Sequence, residues 1–251
     1  MRRADDEDDD SWADRCAPAV GILMLDTRFP RIPGDIGNPS TFAFPVRYRI
    51  VPAASPDRVV RGRADGLLAA FVAAGEALVA EGVRGITTSC GLLSLMQHDL
   101  QAALPVPVAA SSLMQVPLVE RLLPPGRRCG ILTVSAPDLT PAHLAAAGCA
   151  PDTPVAGTEG GTTFTSAILA NAPDFDVEGA RADTIAAARA LVAARPEVGA
   201  IVLECTNMAP YAADISAATG LPVYSIETFV TWFHAGLRPR VFAQAAAAPV
   251  R

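Results

Sequence analysis

Short apolar runs alternate along this chain with longer alanine-rich stretches in which apolar positions recur at helical spacing. That alternation predicts βα units that build parallel sheet, with strands buried on both faces. The strands are expected at Val20–Leu25, Tyr48–Val51, Gly85–Ser89, Val106–Ala110, Cys129–Val134, Ala200–Glu204 and Val223–Ile226. Helices are expected at about 57–81, 92–103, 111–123, 138–147, 163–171, 176–195, 208–219 and 227–236. Gly82 closes the first long helix, Pro105 and Pro107 flank a strand, and Gly220-Leu221-Pro222 precedes the last one; glycine and proline are the residues that end such elements.

The pattern repeats. Gly85-Ile86-Thr87-Thr88-Ser89-Cys90-Gly91-Leu92 and Ala200-Ile201-Val202-Leu203-Glu204-Cys205-Thr206-Asn207-Met208 each put a cysteine where a strand gives way to a helix. Val20-Gly21-Ile22-Leu23-Met24 and Cys129-Gly130-Ile131-Leu132-Thr133 both open a βα series on Gly-Ile-Leu. The chain therefore reads as α/β, with two pseudosymmetric lobes, each a parallel sheet flanked by helices, and an active site between them. The boundaries expected are an acidic tail at 1–17, a first lobe at 18–110 plus 223–251, and a second lobe at 111–222. In open α/β sheets ligands sit beyond the carboxyl ends of the strands, so facing lobes would bring both cysteines to one cleft.

Composition narrows the chemistry. Of 251 residues, 20 are basic and every one is arginine. Without lysine there is no pyridoxal-phosphate Schiff base and no phosphate-binding Walker lysine. The net charge of -6 argues against nucleic acid as a partner, and much of it sits in Asp5–Asp10 and the neighbouring acids of the tail, which repel one another. No run of 18 apolar residues predicts a membrane span. Five cysteines with no CxxC pair fit a reducing, cytoplasmic setting, and the three histidines, His98, His143 and His234, neighbour none of them, so neither a metal site nor a cofactor is expected.

A thiol at the start of a helix has its thiolate stabilised by unpaired N–H groups and the helix dipole. One such cysteine suggests a nucleophile. Two from opposite lobes suggest a pair straddling a carbon, one taking a proton and the other returning it, though small buried thiols also simply fill space at strand ends.

These motifs resemble the aspartate/glutamate/hydantoin racemase superfamily, over about residues 18–240. The resemblance rests on Thr88-Ser89-Cys90-Gly91, on Glu204-Cys205-Thr206-Asn207-Met208-Ala209-Pro210-Tyr211, and on the opening Gly21-Ile22-Leu23. It implies two pseudosymmetric lobes, cofactor-independent 1,1-proton transfer and Cys90 and Cys205 as the catalytic pair. It further implies a substrate carboxylate held by Thr206 and by the loop Gly34–Thr41, whose Asn38-Pro39-Ser40-Thr41 is similar to a hydantoin racemase motif. The chain departs from glutamate racemases in having Gly91-Leu92 after the first cysteine and Asn207 where a histidine is usual.

The expected activity is thus a racemase or epimerase acting on an amino acid or a cyclic derivative such as a hydantoin. Maleate-isomerase-like or arylmalonate-decarboxylase-like chemistry is the alternative on the same fold, and a non-enzymatic binder of small acids is the alternative from another class. Expected substrate contacts are Asn38, Ser89, Gly91, Ser111, Thr133, Thr206 and Asn207. The hydroxyls among them are also ordinary caps and β-formers. Asp26 and Asp35 either assist the Cys90 side or serve turns. Glu204, by strand alternation, points away from the cleft as a solvated or ion-paired carboxylate. A small carboxylate-bearing substrate and a homodimer complete the expectation.

Overall fold

The computed structural model describes residues 17–240, so the acidic tail, except for its last residue, and the end of the chain beyond 240 lie outside the described residues. Two four-stranded parallel sheets form. In the first, β1 (Val20–Met24), β2 (Val46–Ile50), β3 (Gly85–Thr88) and β4 (Val108–Ala109) lie in the order β2-β1-β3-β4. In the second, β5 (Arg128–Thr133), β6 (Val155–Gly157), β7 (Val198–Leu203) and β8 (Val223–Tyr224) lie in the order β6-β5-β7-β8. The two orders are the same once four is added to each strand number, which is the pseudosymmetry anticipated from the repeated motifs.

The helices are α1 (Pro56–Val60), α2 (Leu68–Ala80), α3 (Gln97–Ala103), α4 (Val116–Leu122) and α5 (Pro141–Ala146). They continue with α6 (Phe164–Leu169), α7 (Val177–Ala194), α8 (Ala212–Thr219) and α9 (Ile226–Leu237). The shared Gly-Ile-Leu has a packing reason. A Cβ on Gly21 would stand 3.0 Å from Leu78 of α2, and one on Gly130 would stand 3.0 Å from Leu191 of α7. Each glycine lets a helix leucine settle directly on a central strand. Fully buried leucine contributes about 1.5–3 kcal/mol, so both seats matter to their lobes.

The structure corrects four boundaries. The helix expected at 57–81 is broken between α1 and α2, where Arg63 (φ 52), Ala64 (φ 55) and Gly66 (φ 71) take the left-handed conformation that ends helices. The strand β6 was hidden because its three residues are too few to show a period. The helices expected from 92, 111 and 208 begin as 3-10 turns at Gly91–Met96, Ser112–Gln115 and Thr206–Tyr211. Finally, residue 223 does not return to the first lobe: β8 pairs with β7, and it is α9 that crosses back, laying Phe233 and Leu237 against Gly85 of β3.

An apolar cluster joins the lobes, with Val60 and Leu92 from the first packed with Leu113, Ile131 and Val202. Buried hydrogen bonds stitch the seam. Thr206 Oγ1 donates to the Ser89 carbonyl at 2.7 Å, and Ser112 Oγ donates to the carbonyls of Leu203 (2.7 Å) and Glu204 (3.0 Å). Among the described residues no helix is long and apolar enough to cross a membrane.

Candidate active site

The two cysteines stand on equivalent scaffolds. The Ser89 N–H donates to the Leu23 carbonyl at 3.0 Å and the Glu204 N–H to the Leu132 carbonyl at 2.8 Å, so the residue before each cysteine is tied to the central strand of its lobe. Cys90 and Cys205 follow in extended conformation (φ -151 and -73), each leading into a 3-10 turn. Both line one narrow cleft, together with Arg31, Ser89, Glu204 and Asn207 and the apolar Leu25, Phe29, Val134 and Ile168. Its free space, about 20 Å³, is room for one water, so an organic substrate enters only when the walls part.

Glu204 is the main correction to the sequence reading. It is fully buried and it lines the cleft together with both cysteines instead of pointing away. The alternation rule fails because β7 ends at Leu203, one residue earlier. Thr133 Oγ1 donates to Oε2 at 2.7 Å, whereas Oε1 has no hydrogen-bond partner. Burial pushes this carboxyl up to about 7, against the pull of Thr133 and of the N–H groups of Val134 and Leu92.

Arg31 is the second residue the sequence reading missed. It belongs to the loop after β1 and is the one cation lining the cleft among the described residues. Its Nη1 donates to Asp35 Oδ1 at 2.9 Å and Nη2 to Thr27 Oγ1 at 2.8 Å, its guanidinium lies 4.6 Å from the centre of the Phe29 ring, and its Nε is buried without a partner. The available signal was an arginine just beyond the carboxyl end of a central strand.

Asp35 joins the loop to the other lobe. Asn207 Nδ2 donates to Asp35 Oδ2 at 2.6 Å, and the Cys205 thiol donates to Asn207 Oδ1 at 3.6 Å. Asp35 therefore serves the Cys205 side and not the Cys90 side. Asn207 lines the cleft and bridges Cys205 and Asp35.

The other expected contacts divide. Ser89 lines the cleft, with its Oγ accepting from the Leu25 N–H at 2.8 Å. Gly91 borders Glu204 so closely that a Cβ would overlap it. Thr133 holds Glu204, and Thr206 holds the lobe seam. Asn38 does not line the cleft: its side chain donates to the Arg31 carbonyl at 2.7 Å and accepts from Ser40, so it shapes the loop that carries Arg31. Ser111 is an ordinary cap, buried and accepting from the Leu113 N–H at 3.1 Å. Both misreadings have one cause, since Asn and Ser bond their own neighbourhood wherever the backbone turns.

The thiols are not poised as thiolates. Burial, then the Glu204 carboxylate, pushes Cys90 up to about 12, although the N–H groups of Leu92 and Leu93 and the charge of Arg31 work the other way. Burial, then Glu204 and Cys90, raises Cys205 well above the usual thiol range. The lowering expected at a helix start is outweighed, because short 3-10 turns supply little dipole and burial is the largest influence on both thiols. Among the described residues no group of three His, Cys, Asp or Glu side chains is arranged to hold a metal.

Comparison with known proteins defines the class. A glycine-to-cysteine mutant of arylmalonate decarboxylase superposes with a TM-score of 0.61 at 17% identity, covering 89% of this chain and 97% of that one. Allantoin racemase from Pseudomonas fluorescens superposes with a TM-score of 0.55 at 16% identity, covering 87% and 90%. The fold is that of the aspartate/glutamate/hydantoin racemase superfamily. No family model matches the chain. Its sequence is 30% identical over 226 residues to a dimethylsulfoniopropionate lyase from Durusdinium sp. clade D, covering 87% of this chain and 74% of that protein. It is 31% identical over 243 residues to dimethylsulfoniopropionate lyase 7 of Emiliania huxleyi, covering 92% and 70%. This chain belongs to the family of those lyases. Enzymatic activity is thereby supported, and by relatives that are lyases where amino-acid racemases were expected.

Proposed function

We propose that this protein eliminates dimethyl sulfide from dimethylsulfoniopropionate and leaves acrylate. The observation that carries the reading is the meeting of Cys90, Cys205 and Arg31 in one cleft, in a chain whose sequence relatives are named for that substrate. Arg31, with its unpartnered Nε facing buried surroundings, takes the substrate carboxylate. Cys90 is less buried than Cys205 and feels the positive charge of Arg31, so it serves as the base. Its thiolate removes a proton from the carbon next to the carboxylate. That electron pair becomes the carbon–carbon double bond, the bond from the next carbon to sulfur breaks, and its pair departs on neutral dimethyl sulfide. The proton left on Cys90 passes to solvent. Cys205, held by Asn207, lines the same cleft.

The raised thiols fit a cationic substrate. A sulfonium charge about 4 Å from the Cys90 sulfur contributes roughly 4 kcal/mol at an effective dielectric near 20, or about 3 pH units of thiol acidity. The bound sulfonium thereby offsets the effect of burial and returns the Cys90 thiol toward the ordinary thiol range.

The test is headspace gas chromatography of dimethyl sulfide released by the purified protein. Cys90→Ser is expected to lower kcat by about 100-fold or more. A wild type that releases no dimethyl sulfide, or a Cys90→Ser variant that releases it at the wild-type rate, sinks the reading. The equivalent placement of the two thiols in opposite lobes favours one rival, two-thiol racemisation of an amino acid or hydantoin. That rival predicts solvent deuterium at the α-carbon of recovered substrate, with inversion.

A further inference from the structure

The elimination described above leaves Glu204 without a task. It is completely buried, it lines the cleft, and Oε1 has no hydrogen-bond partner. That oxygen lies over Gly91, where the missing side chain leaves room for it beside Cys90. Thr133 fixes the other oxygen. The guanidinium in the same cleft, Arg31, is engaged with Asp35 and Thr27. A buried carboxylate with no cation is strongly unfavourable, and its surroundings here are apolar: Leu25, Phe29, Val134 and Ile168 complete the wall. Methyl groups that surround a charge match such a wall, with the apolar shell against the side chains and the charge facing the free oxygen.

From this geometry we infer that Glu204 is the counter-charge for an alkylated cation, so that the cleft selects zwitterions bearing a sulfonium or quaternary ammonium group a short chain away from a carboxylate. Arg31 takes the anionic end and Glu204 the cationic end. Glu204 is thus a specificity-determining residue whose free oxygen meets the substrate. The inference rests on the proposed lyase reading for the identity of the natural substrate, while the pairing of charges stands on the cleft alone. If Glu204 served only to accept from Thr133 and to sit beside the N–H groups of Val134 and Leu92, a glutamine would do the same, and nothing would require the second oxygen to lack a hydrogen bond beside Cys90.

A consequence distinguishes this role. In the empty cleft the carboxyl titrates near 7, and a cation bound against it holds it ionised, so binding expels a proton. When the carbon–sulfur bond breaks, the cation becomes a neutral sulfide, and Glu204 takes a proton back as the products leave. The other titratable groups lining the cleft, the Cys90 and Cys205 thiols, are both raised by burial and by Glu204, and E204Q separates any thiol proton from the one released at Glu204.

The experiment compares two ligands of one shape by titration calorimetry: 3-(trimethylammonio)propanoate and its neutral isostere 4,4-dimethylpentanoate. The wild type is expected to prefer the cationic ligand by on the order of 10- to 100-fold, and E204Q to bind the two within about threefold. Repeating the titration in buffers of different ionisation enthalpy should show about half a proton released at pH 7 and about 0.9 at pH 6 with the cationic ligand, and none with the neutral one. Retention of the preference in E204Q overturns the inference, as does a wild type with neither preference nor proton release. If E204Q does not fold, the wild-type measurement in paired buffers decides alone. A wild type that prefers the cation and expels the proton but releases no dimethyl sulfide keeps this inference and loses the lyase reading. Dimethyl sulfide release without the charge preference does the reverse.

Discussion

Replacing Gly91 by alanine adds one methyl group where the turn after Cys90 meets the backbone of Glu204. Gly91 is not in the left-handed conformation, so the backbone itself accepts alanine. Space does not. The new Cβ falls well inside contact distance of the Glu204 carbonyl oxygen and Oε1, and 3.0 Å from the carbonyl carbon. Relief requires the turn and the end of β7 to part by about 1 Å. Overpacking of this kind costs about 1–3 kcal/mol, which for a protein of this length lowers Tm by about 2–4 °C per kcal/mol. Because Cys90 and Cys205 flank the collision, their spacing changes as well, and a displacement of about 1 Å at a reacting group costs roughly 100-fold in rate. Calorimetric melting of Gly91→Ala beside Gly236→Ala isolates the effect: a Cβ on Gly236 meets nothing within 4 Å in α9, so helix propensity should leave that control unchanged or slightly more stable. If Gly91→Ala melts with the wild type and releases dimethyl sulfide at the wild-type rate, the close approach of Glu204 to this turn is not a constraint and the argument is refuted.

Arg31→Gln removes the charge proposed to receive the substrate carboxylate and should lower kcat/KM by an amount equivalent to about 2–5 kcal/mol, seen mainly in KM; unchanged KM in the dimethyl sulfide assay would count against Arg31 as anchor. Thr206→Val deletes the seam bond to the Ser89 carbonyl and should destabilise by about 1–3 kcal/mol, measured by urea denaturation, with equal midpoints as the contrary result. Glu204 has a folded-state pKa raised from its ordinary carboxylate value to about 7, so the folded state binds the extra proton between about pH 4.5 and 7, and the stability this gives is lost as pH rises through 7. E204Q should therefore gain in stability relative to the wild type from pH 5 to pH 8, by up to about 3 kcal/mol, read as a rising difference in Tm. His143, which burial holds down near 4, changes stability in the opposite sense, but it does so in both proteins and cancels from the difference. Parallel Tm profiles would mean that Glu204 is not a buried titrating carboxyl.

The lobes and the cysteine positions were legible because they leave periodic traces. Apolar runs mark β1, β3, β5 and β7, and Gly21 and Gly130 recur because each admits a helix leucine onto a strand. The departures fall where local signals are ambiguous. Asn38 and Ser111 have the chemistry of substrate ligands and of turn formers alike, and only the fold shows that their partners are Arg31, Ser40 and Leu113. Glu204 and Arg31 were missed for a different reason: Glu204 turns into the cleft because β7 ends one residue early, and Arg31 reaches it on a loop held by its own contacts to Thr27, Phe29 and Asp35, with no sequence period to report either. The direction of the thiol shifts was misjudged because a helix start was inferred without the burial and the carboxylate that surround it.

The equivalence of the two lobes also isolates what distinguishes them. Ser89 and Glu204 make the same backbone bond to their central strands and precede equivalent cysteines. A site assembled from two identical halves would offer a ligand two indistinguishable orientations. The pair Ser89 and Glu204 removes that degeneracy, because a small hydroxyl faces one side of the cleft and an acid the other. Arg31, which only the first lobe supplies, adds to the asymmetry, so a polar molecule lying across the seam would meet different partners at its two ends.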